Sequence, residues 1–264
     1  EDLEKEFGDK KAKIITAIAM FYDLDDPNKF VSDISKALDK YGVFIIQQNY
    51  LVSMLKQNAF DNISHEHLEY YSLLSLTNLL DRHNLEIFDL ELNDLNGGSF
   101  RTYIRHKGSS SIKPFSGAEQ RLSEIVKNEN ELGLNDRKVY DDFANRINEI
   151  KQKVVGFIKN ETQKGKTVYV YGASTRGNTL LQYFGLDNTL IKTAAERNPV
   201  KWGRKTIGTL IPIISEEQAR FEKPDFFLIL PWAFLKEFRE REKDFLNSGG
   251  KFIVPLPNFE IISG

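Results

Sequence analysis

The strongest constraint on the fold is a strand, a loop of small residues and a helix that follow one another over residues 167–183. Residues 167–171 are rich in β-branched and aromatic side chains, and residues 172–178 read Gly-Ala-Ser-Thr-Arg-Gly-Asn. Short strand-like runs return near residues 191–195, 226–230 and 251–254. Strands that alternate with helices predict a parallel sheet with helices on its faces. The C-terminal part of the chain is therefore expected to form a Rossmann-like unit.

The loop after this first strand is a candidate phosphate site, because backbone N–H groups at a helix N-terminus attract anions and an arginine adds a positive charge. A second ligand-facing loop is expected after the next strand. The candidate binding residues in these two loops are Ser174, Thr175, Arg176, Glu196, Arg197 and Asn198. Tight packing between strand and helix would explain the small residues equally well, and a surface ion pair would explain the second loop.

The first half of the chain predicts another α/β sheet. Strands are expected at residues 12–20, 43–47, 85–92 and 99–105, and helices at residues 26–38 and 73–82. The run at 43–47 suits a buried parallel strand, so Gln48, Asn49 and Tyr50 would emerge at its carboxyl end, where open α/β sheets bind ligands. Gly97 and Gly98 would bring backbone close to a substrate or would simply make a turn.

A linker and a long helix are expected between the two sheets. Residues 107–116 contain three consecutive serines and Pro114, which is a linker composition. Residues 122–164 are charged and carry apolar residues at helical spacing, from Phe143 to Ile158. This segment predicts a helical connector.

Two of the four histidines flank a glutamate at His65, Glu66 and His67, close to Tyr70. Imidazole exchanges a proton near neutral pH, so this cluster is a candidate general base. An alternative is a helix start with Ser64 as the N-cap and histidines that are merely solvated. A zinc site is a weaker alternative, because no cysteine and no HExxH spacing accompany the histidines.

Composition excludes several classes of function. The formal net charge is −2, and basic residues alternate with acidic ones, so no nucleic-acid partner is expected. No apolar run reaches the roughly 18 residues that span a bilayer, and no signal peptide opens the chain, which makes a cytoplasmic protein without a membrane partner the default expectation. The chain has no cysteine, which excludes disulfides and thiolate chemistry.

Several motifs in the same order along the chain resemble those of the S-adenosylmethionine-dependent sugar C-methyltransferases. They are the segments at residues 42–50, 60–72, 96–101, 171–179, 195–199 and 230–232. The resemblance implies an α/β fold in which an incomplete Rossmann-like methyltransferase domain precedes a second Rossmann-like domain, with the helical connector between them. The implied boundaries are residues 1–107 for the catalytic part, 108–165 for the linker and connector, and 166–264 for the nucleotide-sugar-binding domain.

The resemblance also implies a reaction. A base removes the proton beside the ketone of a nucleotide-diphosphate-linked 4-keto-deoxysugar, and the resulting enolate attacks the methyl group of S-adenosylmethionine. His67 would be the base and Glu66 would orient the sugar or the base. The residues left to shape the pocket are His65, Gln48, Asn49, Tyr50 and Tyr70. The family usually has a tyrosine immediately before the HEH motif, whereas this chain has Ser64.

Cofactor contacts would come only from Ala17, Ile18, Ala19 and Met20, because no Gly-x-Gly loop precedes the first strand. The chain is therefore expected to be the C-terminal portion of a longer enzyme, with no metal site. A non-catalytic nucleotide-sugar-binding module or an inactive remnant is the main alternative. An NAD-dependent dehydrogenase is less favoured, because the loop at Gly172 lacks the G-x-G-x-x-G spacing.

Overall fold

A computed structural model describes residues 5, 6, 8–110 and 112–264 and divides the chain into two compact units. The first unit comprises Glu1–Met54 and His65–Val139, and the second comprises Leu55–Ser64 and Tyr140–Gly264. The strands are β1 (Ala12–Ile18), β2 (Leu38–Asn49), β3 (Leu85–Asn93), β4 (Ser99–His106), β5 (Val168–Tyr171), β6 (Thr193–Glu196), β7 (Ile213–Ser215), β8 (Phe226–Ile229), β9 (Lys251–Val254) and β10 (Glu260–Ile262). The helices are α1 (Pro27–Ala37), α2 (Leu51–Lys56), α3 (Leu73–Asp81), α4 (Ala118–Leu132), α5 (Arg137–Gln163), α6 (Thr175–Phe184), α7 (Glu216–Glu222), α8 (Leu235–Arg241) and α9 (Lys243–Asn247).

The sheet of the first unit has the order β1-β2-β4-β3. Strands β1 and β2 are parallel, whereas β4 is antiparallel to both β2 and β3. The strands predicted at residues 85–92 and 99–105 are therefore present, and they form an antiparallel pair at the end of this sheet. Helix α1 begins as the sequence predicts, with Pro27 in the first turn and the Asp26 side chain accepting a hydrogen bond from the Lys29 N–H.

The predicted continuous helix over residues 122–164 is instead two helices. Gly133 ends α4 in a left-handed conformation with φ of 72°, and its N–H donates to the carbonyl groups of Glu129 and Asn130. A glycine adopts this conformation without a Cβ penalty, which makes it a common helix terminator. Helix α5 then carries the apolar stripe of the connector on one buried face, from Phe143 to Ile158.

The sheet of the second unit has the order β10-β9-β8-β5-β6-β7, and all its strands except β10 run parallel. The α/β class with two sheets is thus confirmed. The chain proceeds from β5 to β6 and β7 on one side and returns to β8 on the other, so β5 and β8 flank the point where the strand order reverses. Ligands of open α/β sheets bind at such a point. Strands β7 and β10 were not predicted, since three residues give too short a pattern.

The observed units divide the chain differently from the predicted domains. The predicted linker and connector is shared, since residues up to Val139 belong to the first unit and residues from Tyr140 belong to the second. Strand β4 ends at His106 and β5 begins at Val168, so the segment between them separates the two sheets along the chain. The second unit nevertheless includes Leu55–Ser64 from the first half of the chain. This segment packs Phe60 against Phe184 and receives hydrogen bonds from Arg146 at Leu55 O and at Asn58. Such long-range packing leaves no local sequence signal.

Candidate active site

The carboxyl ends of β1 and β2 and the start of β4 form one edge of the first unit's sheet. Asn49 is paired with Ser99 across β2 and β4, and the Tyr50 N–H donates to the carbonyl of Gly98 at 3.3 Å. The Ala19 N–H donates to the carbonyl of Gln47 at 2.9 Å. The structure therefore brings the ends of all three predicted segments to the same place. The predicted residues on this edge are Ala17, Ile18, Ala19, Met20, Gln48, Asn49, Tyr50, Gly97 and Gly98.

The HEH segment lies along this same edge. The N–H groups of Leu68 and Glu69 donate to the carbonyl of Tyr22, which follows β1, at 3.0 and 3.1 Å. The Leu51 N–H, which follows β2, donates to the carbonyl of Tyr71 at 3.0 Å. The chain is not helical here, so the alternative of a helix start capped by Ser64 is wrong. Helix α3 begins later, and its N-cap is Ser72, whose hydroxyl accepts a hydrogen bond from the Ser75 N–H.

The two histidines of the cluster differ in how firmly they are held. The His67 ring is half-buried and packs edge-on against the Tyr22 ring with centroids 4.6 Å apart. The His65 side chain is 86% exposed, and its Nε2 lies 4.0 Å from a Glu66 carboxylate oxygen. Tyr70 is half-buried, and burial raises the pKa of its hydroxyl. His67 is therefore the positioned imidazole of the pair.

Asp23 belongs to the same cluster, although it was not among the predicted site residues. Burial raises the pKa of the Asp23 carboxyl, the charge of His67 lowers that pKa, and the charge of Glu66 raises it. The side chain is exposed overall, so these effects are partly screened by water. Its position directly after the end of β1 was the signal that could have identified it.

Gln48 and Tyr50 turn inward from the edge in different ways. Gln48 is 2% exposed, and neither polar atom of its carboxamide has a hydrogen-bond partner among the described residues. Tyr50 donates its hydroxyl to buried Glu129 at 2.9 Å, and burial, followed by the Glu129 charge, raises the pKa of that hydroxyl. Glu129 also accepts the N–H groups of Leu73 and Leu74 at the start of α3. Tyr50 therefore helps to hold α3 in place through Glu129. Gln48, by contrast, is a buried polar group without a partner in the described residues, which is unusual in a folded protein.

In the second unit, the loop after β5 is held by the turn after β6. Glu196 accepts the Ala173 N–H at 2.8 Å and the Asn198 N–H at 2.9 Å. Burial alone would raise the pKa of Glu196, but these two hydrogen bonds and the charge of Lys201 bring it below the ordinary value. Lys201 donates to the carbonyl of Ala173 at 2.7 Å. The Glu196 carboxylate therefore already accepts the Ala173 N–H, which is one of the loop N–H groups that were predicted to bind phosphate.

Arg176 lies in the first turn of α6 and is paired with Asp61 inside the same unit. Its Nε and Nη2 lie 2.9 and 2.7 Å from one carboxylate oxygen, Oδ2, which also accepts the Trp232 indole N–H at 3.2 Å. Asp61 is 2% exposed, and its other oxygen is buried without a partner in the described part of the chain. Burial raises the pKa of Asp61 against the opposing effects of Arg176 and Trp232. Sequence reasoning gave Asp61 no role.

The remaining predicted residues of the second unit lie around this loop. Ser174 is the N-cap of α6 and accepts the Gly177 N–H at 3.0 Å, whereas Thr175 and Arg197 are exposed. Asn198 accepts the Val200 N–H at 3.0 Å. In the described ranges, no group of three or more potential ligand side chains is placed to hold a metal ion, and no helix is long and apolar enough to cross a membrane.

Comparison with known proteins gives matches to both halves of the chain. Residues 94–257 match the C-terminal domain of C-methyltransferases, and residues 2–90 match a methyltransferase domain. C-methyltransferase NovU of Streptomyces niveus is 33% identical over 253 residues, which cover 96% of this chain and 59% of that protein. The chain therefore spans about three fifths of the length of this curated relative. A solved complex that contains the Haloferax volcanii Trm112 methyltransferase activator gives a TM-score of only 0.32 at 14% identity, over 38% of this chain and 56% of that one, and supports no argument.

Proposed function

The chain belongs to the C-methyltransferase family, and from this we propose that the whole protein methylates a carbon atom of a nucleotide-diphosphate-linked 4-keto-deoxysugar. The methyl donor in this proposal is S-adenosylmethionine. The observation that carries it is the position of the HEH segment, which the Leu68 and Glu69 N–H groups tie to Tyr22 at the carboxyl edge of β1 and β2. The proton acceptor and the binding site for the methyl donor, at the end of β1, would then lie on the same edge of the sheet.

His67 would act as the base. A ring nitrogen accepts the proton from the carbon beside the ketone, and the electron pair of that C–H bond moves into the carbonyl, which becomes an enolate. The carbon of the enolate would then take the methyl group as the bond from that methyl to the sulfonium sulfur breaks, and the bonding electrons would stay on the sulfur of the departing thioether. Contact with the Tyr22 ring fixes the imidazole. A base that is already fixed loses little conformational entropy when it reaches the transition state. Glu66 and Asp23 provide negative charge that stabilises the imidazolium formed in this step.

The enolate oxygen needs a hydrogen-bond donor, because the proton beside a ketone is acidic only when the oxygen accepts the charge. Ser64 stands where the family usually has a tyrosine, so the donor must come from elsewhere. The Tyr70 hydroxyl is a candidate donor, and burial raises its pKa and so favours the protonated form further. The Gln48 carboxamide would be a second hydrogen-bond donor to the enolate oxygen. Burying a carboxamide without hydrogen bonds costs free energy, and a hydrogen bond to a bound ligand would remove that cost.

The end of β1 fits part of the methyl donor. Ile18 is 62% exposed and Ala19 is exposed in a left-handed conformation with φ of 54°, so they offer apolar surface beside the edge. The carboxylates of Asp23 and Glu66 suit the positive charge of a sulfonium. S-adenosylmethionine supplies an electrophilic methyl group when it is bound.

The second unit would hold the nucleoside diphosphate, because its loop at residues 172–178 follows β5 at the point where the strand order reverses. Ser174, Thr175 and Arg176 remain the proposed phosphate contacts. Glu196 and Asp61 already engage the Ala173 N–H and the Arg176 guanidinium. We therefore expect the phosphates to bind the outer side of the loop, beside Thr175 and Arg197.

The test uses the complete enzyme and a nucleotide-linked 4-keto-deoxysugar. His67→Asn keeps the shape and part of the hydrogen bonding but removes the proton acceptor, so turnover should fall roughly 10²–10⁴-fold with little change in substrate affinity. Solvent deuterium exchange at the carbon beside the ketone, measured by NMR without methyl donor, should disappear in the same variant. His83→Asn, in an exposed side chain that contacts Asn28, is the matched control and should exchange normally.

Exchange at the wild-type rate in His67→Asn would contradict the assignment of the base. If exchange then vanished in His65→Asn or Tyr70→Phe, the base would be one of those residues. Normal exchange in all three variants would reduce the HEH cluster to a structural segment and would place the base elsewhere in the enzyme. The absence of exchange in the wild-type enzyme would favour the non-catalytic alternative.

A further inference from the structure

We propose that the base of the bound nucleotide stacks on the indole of Trp202, in the turn that follows β6. This inference rests on the proposed function, since it assumes that the second unit binds a nucleoside diphosphate. Trp202 is 45% exposed, although tryptophan normally buries most of its large apolar surface. Its indole N–H is already satisfied by the carbonyl of Glu196 at 2.8 Å, which fixes the ring while one side stays open to solvent.

The turn that carries Trp202 is built onto the candidate phosphate loop. Lys201 holds the carbonyl of Ala173, and Glu196 holds the N–H of the same residue. The Trp202 N–H in turn donates to the carbonyl of Pro199, and the Gly203 N–H donates to the carbonyl of Ile213 in β7. The indole is therefore attached through short, defined hydrogen bonds to the peptide that opens the loop, rather than to a loosely held surface segment.

The hydrogen bonds of Glu196 indicate that the nucleoside would not bind at the end of β6, as it does in dinucleotide-binding folds. In those folds an acidic residue at the end of the second strand binds the ribose. Here Glu196 occupies that position, but its two carboxylate oxygens already accept the N–H groups of Ala173 and Asn198. In the same turn the exposed indole of Trp202, bonded to the carbonyl of Glu196, offers an aromatic surface instead.

Local charge agrees with an anionic ligand. Between residues 197 and 212 the chain carries Arg197, Lys201, Arg204 and Lys205 and no acidic residue, although the whole chain has a net charge of −2. A positive segment next to an exposed aromatic ring suits phosphates with an attached base, since the charges attract the phosphates and any base can stack on an indole.

Calorimetric titration of the chain with UDP, dTDP and inorganic pyrophosphate tests the inference. Trp202→Ala should raise the dissociation constant for the nucleotides about ten- to a hundredfold, because stacking of one base contributes that much. The dissociation constant for pyrophosphate, which has no base, should stay within about twofold. Trp202→Phe keeps an aromatic ring and should retain most of the nucleotide affinity. Phe221→Ala is the matched control, since this ring is 86% exposed in α7, which runs back towards the opposite edge of the sheet.

Fluorescence provides a second measurement that does not depend on the alanine variant folding. The chain has two tryptophans, so Trp232→Phe leaves Trp202 as the single indole. UDP should quench its emission and pyrophosphate should not. While the wild-type chain binds UDP, equal nucleotide affinity in Trp202→Ala would overturn this inference alone. So would the absence of quenching in Trp232→Phe when calorimetry shows that this variant binds UDP. If neither UDP nor pyrophosphate bound the wild-type chain, the proposed nucleotide site itself would fail, and this inference with it.

Discussion

A single buried carboxylate, that of Asp61, joins the guanidinium of Arg176 to the indole of Trp232. Burial raises the pKa of Asp61, so the folded state binds this proton more tightly than the unfolded state does. The stability that Asp61 contributes is therefore fully present below the pKa of the unfolded carboxyl and is lost as the pH rises through the folded pKa. Arg176 limits this loss, because its charge lowers the folded pKa.

Arg176→Met should consequently destabilise the second unit more at neutral than at acidic pH. Breaking a buried pair leaves an uncompensated charge, and we expect a cost of roughly 3 kcal/mol at pH 7.5. At pH 4.5 the cost should be smaller, because the raised pKa of Asp61 favours its protonated form at acidic pH, and a neutral carboxyl needs no cation. Urea denaturation at both pH values measures it, and tryptophan emission reports on this unit because Trp202 and Trp232 both belong to it.

The control for this pair is Asp61→Asn combined with Arg176→Met. If the two side chains act as a pair, the double variant should cost less than the sum of the single variants and should lose most of the pH dependence. An equal cost of Arg176→Met at both pH values would show that the Asp61 proton does not respond to Arg176.

Single residues also mark the limit of prediction from sequence. His67 and Arg176 could be proposed because their chemistry and their neighbours along the chain point to a function. Asp61 could not, since its partner lies 115 residues away and only folding brings the two together. Tyr50 looked like a pocket residue at the end of a strand, but the remote carboxylate of Glu129 draws its hydroxyl inward.

At the scale of elements, the link from β5 to α6 depends on Gly172. Its φ is 85°, and a Cβ at this position would lie 2.7 Å from Cγ and 2.9 Å from Cδ of Pro231, which follows β8. The loops after β5 and β8 are therefore packed directly against each other at the point where the strand order reverses. A glycine is needed there both for its backbone conformation and for the close approach of the proline ring.

Gly172→Ala should destabilise the second unit by roughly 2–4 kcal/mol, because backbone strain adds to a clash with a rigid ring. Gly185→Ala is the matched control. That glycine ends α6 with φ of 68° and has nothing within 4 Å of a built Cβ, so only backbone strain of roughly 1 kcal/mol is expected. Urea denaturation followed by tryptophan emission compares the two variants. Equal losses would mean that contact with Pro231 adds nothing.

Elements were predicted well where their pattern is long and locally capped. Helix α1 has its aspartate cap and its proline, and α3 has the apolar spacing of Leu73, Leu76 and Leu80. Prediction from the sequence failed where the backbone conformation at a single site determines whether a helix ends or begins. Gly133 divides the predicted connector into α4 and α5, and the segment after Ser64 is not helical, since the N–H groups of Leu68 and Glu69 bond to the carbonyl of Tyr22.

At the scale of the whole molecule, the two sheets were predictable but the division into units was not. Composition and strand-helix alternation separate the sheets near residues 107 and 165. The assignment of Leu55–Ser64 to the second unit depends on Phe60, Asn58 and Asp61, whose partners lie beyond residue 140. The chain consequently crosses between the units directly before the HEH motif, at Ser64 and His65.

The final prediction concerns the two proposed binding sites, one for the methyl donor and one for the nucleotide. In the 264-residue chain the donor site would consist of Ala17, Ile18, Ala19 and Met20 at the end of β1, with the carboxylates of Asp23 and Glu66 nearby. Small-molecule sites normally enclose most of the ligand surface, and one strand end encloses little of it. Calorimetric titration of this chain should therefore give a dissociation constant for S-adenosylmethionine weaker than about 100 µM. UDP or dTDP, titrated in the same buffer, should bind more tightly, because the loop after β5 and the turn after β6 are both contained in the second unit. Low-micromolar binding of S-adenosylmethionine would show that residues of this chain other than the end of β1 hold the donor.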